Sequence, residues 1–271
     1  MREENRPDYG YGPTRIRHYE SPAEYAACCP SPYDGGPSWN GEGVQAALKH
    51  ARSGRLDMVE RAERVLEQIN KQIDALRGEW IPSRAGAYVV VPEFLTGFPE
   101  SMRRRVEAPN ERAPIRFYVD VWAACFFSAD ALINRGVSFL ALAMALLQDR
   151  PVEMYAMVTG SGSGRNAVDM IPLPTSPLDL AVVCSVFFPS FLRCIGFGYM
   201  QKYTENSCPP LWRLYAETPA DRDTYVKRMR ALLCANDTDV IVGPTWRDDL
   251  SNRDPIAFVN KAIQDHLTLA E

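Results

Sequence analysis

From Ile115 onward the chain alternates between short β-branched runs and long apolar helical runs, and this alternation restricts the fold more than any other feature of the sequence. Ile115 to Trp122 reads as a strand, Ala129 to Leu147 as a helix with Leu140, Met144 and Leu147 toward a sheet, and Pro151 to Val158 as a second strand. A strand, a crossover helix and a strand in that order imply a parallel pair. Further on, Ser176 to Phe188 reads as a helix and Pro189 as a kink or the start of a second helix reaching Gln201. Asp221 to Leu233 is a helix, Asp239 to Gly243 a short buried strand and Pro255 to Leu267 a final helix. The expected fold class is α/β with a mostly parallel sheet.

Gly160-Ser161-Gly162-Ser163-Gly164 follows a strand, as a phosphate-binding loop would. Such a loop needs a helix N-terminus behind it, yet Ala167 to Leu173 is apolar and strand-like, and no Walker lysine follows. The run is therefore expected to turn the backbone into an antiparallel edge strand.

The N-terminal third reads differently. Residues 1–20 are charged and carry Tyr9, Tyr11 and Tyr19, and are expected to form a polar arm ordered by a partner. Residues 21–114 read as a mainly helical appendage, and 115–271 as the α/β domain. Ser21-Pro22-Ala23-Glu24 caps a short helix, Trp39 anchors an irregular stretch, Val44 to Arg52 is helical, and Leu56 to Leu76 has amphipathic spacing. Tyr88 to Val91 is a short β-branched run, and Glu93 to Pro114 reads as irregular with about two helical turns.

The first twenty residues lack an apolar run, so neither a signal peptide nor a membrane anchor is expected there. Seven cysteines, with Cys125, Cys184, Cys194 and Cys234 in apolar surroundings, suggest reduced buried thiols and a cytoplasmic, reducing setting. Adjacent Cys28 and Cys29 do not form a C-x-x-C metal site. A net charge of -4 supplies no global attraction to nucleic acid or anionic lipid.

The order strand, helix, strand, antiparallel strand, helix resembles von Willebrand factor A-like domains over Ile115 to Leu267. In that family the first strand ends in D-x-S-x-S, which holds a divalent metal. Here the matching stretch is Asp120-Val121-Trp122-Ala123-Ala124, so Asp120 is kept while Trp122 and Ala124 stand in the serine positions. The resemblance therefore implies a degenerate metal site, with Asp120 a weak candidate ligand and Ser128 and Thr175 able to supply the missing oxygens from nearby loops. The whole chain also resembles uncharacterised proteins of tailed bacteriophages, which implies a virion component or a host-cell factor.

Nucleophilic chemistry lacks its usual signs. There is no G-x-S-x-G, the neighbours of Cys125 are apolar, and Asp248 and Asp249 read as loop charge. No cofactor and no small-molecule substrate is expected. The leading expectation is a non-enzymatic binding or assembly protein that anchors a protein partner through Trp39, Trp122, Trp212 and Trp246. The second is a nucleic-acid-binding accessory factor using Arg103, Arg104, Arg105, Arg112 and Arg116.

Overall fold

The computed structural model describes residues 1–6, 13–61, 63–64, 67, 80–84, 88–89, 94–105, 114–123, 127–147, 151–162, 165–175, 178–203, 219–245 and 249–268. Its centre is a six-stranded sheet of β1 (Arg2–Arg6), β2 (Thr14–His18), β6 (Ile115–Asp120), β7 (Val152–Gly162), β8 (Arg165–Leu173) and β9 (Val240–Val242), ordered β1-β2-β8-β7-β6-β9. β6 runs parallel to β7 and β9, β8 is antiparallel to β7, β2 is parallel to β8, and β1 is antiparallel to β2. The chain is thus mixed α/β, as the alternation implied.

The glycine-serine run does turn the chain back. It lies largely within the strands, with Gly160, Ser161 and Gly162 facing Ala167, Asn166 and Arg165. Three expectations are overturned here. Residues 1–20 are no free arm, because β1 and β2 are strands of the main sheet. For the same reason β8 is not an edge strand. A second sheet, β3 (Trp80–Ser83), β5 (Met102–Arg105) and β4 (Tyr88–Val89), places β5 in its centre, where an irregular segment was expected.

Strand alternation divides the core in two. Phe117, Val119, Met154, Ala156, Val158 and Ile171 point to one face, covered by α1 (Pro22–Ala27), α3 (Val44–Ser53), α4 (Ala129–Leu147), α5 (Leu180–Val186) and α8 (Pro255–Thr268). α2 is the short helix Pro37–Asn40. On α4, Leu140 is buried as expected, whereas the side chains of Met144 and Leu147 fall outside the described residues. The other face, with Tyr118, Met157, Val168, Met170 and Ile241, meets α7 (Pro219–Leu233) through Tyr225, Met229 and Leu232, spaced to share one stripe.

After α5 a π-helical turn, Phe191–Gly196, is wholly buried and leads into α6 (Phe197–Tyr203). No single described helix is long and apolar enough to cross a membrane. The pair Leu180–Val186 and Phe191–Tyr199, bent by 54°, passes that test together, and much of it lies in the core. Most of the Leu56 to Leu76 helix lies outside the described residues.

Candidate functional site

In an open α/β sheet, ligands bind beyond the carboxyl ends of the strands, where neighbouring connections diverge. Here that place is the rim beyond β6, between β7 and β9, and Asp120 stands on it. Its carboxylate is fully buried. Oδ1 accepts from the backbone N–H of Trp122 (2.9 Å), and Oδ2 accepts from the hydroxyls of Thr159 on β7 (2.6 Å) and Tyr225 on α7 (2.7 Å). Burial pushes the Asp120 carboxyl up, against these three hydrogen bonds and the charge of Arg135.

Arg135, from α4, closes the rim from the opposite face of the sheet. Its guanidinium donates to Asp249 Oδ2 (2.7 Å), to the carbonyls of Gly243 and Asp120, and to Ser251 Oγ (3.4 Å). One buried side chain thus ties the ends of β6 and β9 to the 3-10 turn Leu250–Asn252. Burial lowers the Arg135 pKa, with Asp249 and Asp120 opposing. Among the described residues, the charged groups at this rim are thus bound to neighbouring side chains and backbone.

Of the two hydroxyls expected near a metal, Ser128 caps α4 by accepting from Ala131 N (3.1 Å). Thr175 follows β8, which runs opposite to β7, so it lies toward the other end of the sheet. Neither joins Asp120. Among the described residues no group of three His, Cys, Asp or Glu side chains is arranged to hold a metal ion.

A second polar hub surrounds Glu42. Its Oε2 meets Arg55 (2.7 Å) and His50 Nδ1 (2.9 Å), and its Oε1 accepts from Ser190 Oγ. Arg55 also grips Asp57 through two nitrogens and lies over the Phe188 ring at 3.5 Å. In a Ser-His-Asp triad the histidine is hydrogen-bonded directly to the serine hydroxyl. Here the carboxylate stands between Ser190 and His50, each on a different oxygen, so the arrangement suits structural cross-linking of the Gly41 to Asp57 segment to the π-helical turn.

The family model described as Domain of unknown function (DUF7192) matches residues 5–220 of the chain. The chain belongs to this family. No curated protein and no solved structure matches it. The DUF7192 span contains β2, Asp120, Arg135 and Thr159, and stops before Tyr225 and Asp249, so the rim is completed by residues beyond it.

The structure separates the residues singled out in this DUF7192 chain. Trp39 is half-buried, its ring packed on Tyr33 and Phe197, its carbonyl accepting from the buried Arg193 and its ring under that guanidinium at 4.7 Å. It anchors its own segment, where the short helix α2 stands in an otherwise irregular stretch. Trp122 is 3% exposed and belongs to the core, so it presents no surface to a partner. Trp212, Trp246 and Arg112 lie outside the described residues, as do Cys125 and Asp248. Arg103, Arg104 and Arg105 form most of β5, whereas Arg116 is on β6 of the main sheet and pairs with Glu153 at 3.5 Å. The proposed arginine cluster is thus divided between two sheets.

Buried thiols behave as expected at Cys184 and Cys194, both pushed up to about 12 by burial. Cys234 does not, being exposed with φ of 52° at the end of α7.

Three features escaped the sequence reading. Arg17 and Asp169 are cross-strand partners on β2 and β8, 152 residues apart, joined by two hydrogen bonds (2.5 and 2.8 Å) with Tyr25 donating at 3.3 Å. Asp249 is the counter-ion of Arg135 rather than loop charge. Finally, Phe94, Leu95 and Phe98 are exposed at 62%, 77% and 50%. They flank a turn in which Gly97 adopts φ of 76° and its N–H donates to Phe94 O at 3.0 Å. Large apolar side chains clustered in five residues were the available signal.

Proposed function

We propose that the protein is a non-enzymatic binding subunit of a larger assembly, built on a von Willebrand factor A-like core whose strand-end crevice serves as an internal brace. The phage or mobile-element setting belongs to this proposal. The finer fold likeness rests on β6, α4, β7 and β8 following one another as strand, helix, parallel strand and antiparallel strand. β1 and β2 then extend the sheet past the antiparallel strand.

The observation that carries the proposal is the exposed Phe94, Leu95 and Phe98 turn. Isolated exposed apolar residues are ordinary, but a cluster of large ones marks a contact surface. Full burial of each by a partner would contribute about 1.5–3 kcal/mol. The test is isolation of the tagged full chain from its native source, beside the triple variant Phe94→Ser, Leu95→Ser, Phe98→Ser. A stoichiometric protein companion lost in the variant, with the melting temperature unchanged, is the expected result. A companion retained in full by the variant refutes the assigned surface.

A nucleic-acid-binding reading is favoured by one observation, the three consecutive arginines on the central strand of the small sheet. It requires salt-dependent affinity for DNA or RNA. Binding unchanged by reversing the charge at Arg103, Arg104 and Arg105 removes it.

A further inference from the structure

An open cleft of about 330 Å³ lies at the end of the sheet away from Asp120, among the start of α1, the end of α3, the end of β8 and the start of α5. Its floor is apolar: Pro22 and Leu173 are buried and Val182 is half-buried. Its rim is charged, with Glu20 and Asp179 supplying carboxylates and Arg52 a guanidinium, all three residues exposed. Among the described residues neither Glu20 nor Arg52 spends its side-chain charge on an ion pair, and Asp179 spends one oxygen on the N–H of Val182 at 3.1 Å.

The walls are fixed before any ligand arrives. Ser21 caps α1 through Glu24 N (3.1 Å), Asp179 caps α5, and the Arg55 N–H donates to the Ala181 carbonyl at 2.7 Å, joining the segment after α3 to α5. A preformed cleft saves the ordering cost that weakens most peptide binding. Its volume falls within the usual range for ligand sites, of roughly 300–1,000 Å³. Being open to solvent on one side, it suits a segment of chain crossing it better than a small molecule enclosed by it.

We infer that this cleft docks a short extended peptide of a partner, with one apolar side chain on the floor between a basic and an acidic neighbour at the rim. The basic residue meets Glu20 and Asp179, and the acidic residue meets Arg52. This charge order makes the site selective, since burial of the apolar side chain alone would accept many sequences.

The test uses fluorescence anisotropy on the full chain with labelled, glycine-flanked peptides of core Lys-Leu-Glu, Lys-Ser-Glu, Gln-Leu-Gln and Lys-Leu-Lys. Lys-Leu-Glu is expected to bind at least about tenfold more tightly than the serine and glutamine peptides. Arg52→Glu, an exposed change whose folding is checked by an unchanged circular-dichroism spectrum, should cost Lys-Leu-Glu a similar factor and gain Lys-Leu-Lys. Glu20→Lys should weaken Lys-Leu-Glu as well. No saturable binding at millimolar peptide, or affinity indifferent to both substitutions, overturns the inference. The Phe94, Leu95 and Phe98 variant keeps this binding, so the cleft and the apolar turn stand or fall separately.

Discussion

Two buried arginines with different partners set the energetics at single positions. Arg135 is 4% exposed and its side chain reaches Asp249, two carbonyls and Ser251. Removing one member of a buried ion pair leaves the other charged and unpaired, at a cost of about 3–5 kcal/mol. Arg135→Met should therefore lower the unfolding free energy from urea titration by that amount, whereas Arg116→Met, exposed beside Glu153, should change stability by less than about 1 kcal/mol. Arg17 differs because its partner titrates in an accessible range. Burial pushes the Asp169 carboxyl up to about 6, against the pull of Arg17 and the Tyr25 hydroxyl. The folded chain then holds this proton more tightly than the unfolded chain does. The group's stabilising contribution is complete below the unfolded pKa of about 4 and is lost as pH rises through the folded value. Relative to Asp169→Asn, the native protein should thus lose roughly 2–3 kcal/mol of unfolding free energy between about pH 4 and 7. Urea titrations of both proteins across that range read the difference. A flat or rising difference would place the carboxyl at or below its ordinary pKa.

Elements differ in how openly the sequence declares them, and the reason is whether their partners are local. The helix α1 is declared by Ser21, whose hydroxyl accepts from Glu24 N, and the side-chain cap is worth about 1 kcal/mol. Ser21→Ala should lower stability by about that amount in thermal or urea unfolding. α4 and α8 carry long apolar stripes, α7 the shorter Tyr225, Met229 and Leu232 stripe, and β6, β7 and β9 are rich in aliphatic and aromatic residues, so all were legible. β2 was not. Thr14-Arg15-Ile16-Arg17-His18 reads as polar, yet Arg17 points inward and is made tolerable there by Asp169 on a strand 152 residues away. No local window contains that fact. β5 is hidden likewise by its three arginines. At the rim, Asp120 was legible as the end of a strand, while Arg135 was hidden in the middle of α4 and Asp249 in a loop. Packing between elements was equally silent. A Cβ added to Gly136 on α4 would lie 2.4 Å from Phe187 Cβ, just after α5, inside any permitted contact. Gly136→Ala gains helix propensity but must separate these neighbours, with overpacking costs of about 1–3 kcal/mol. A net loss of stability is expected on urea unfolding. A gain would mean that Phe187 moves aside freely.

For the molecule as a whole, the position of β1 and β2 decides what counts as a separable part. Read as an arm, residues 1–20 could be removed without harm to the body. As strands they protect the edge of β8, since β2 pairs with five consecutive residues from Asn166 to Met170 and β1 pairs in turn with β2. Their loss would uncover a long strand edge, the usual template for aggregation. It would also remove Ile16 from the α7 side of the core and Arg17 and Tyr19 from the other, leaving the buried Asp169 carboxylate without its cation. A chain beginning at Ser21 should therefore be insoluble, or melt well below the full chain and bind a hydrophobic dye, as judged by size-exclusion chromatography and thermal unfolding. The isolated effect of the ion pair is separated by Arg17→Met in the full chain, which keeps both strands and should remain soluble. A truncated protein that is monomeric and melts with the full chain would return residues 1–20 to the status of an appended arm and remove β2 from the cooperative core.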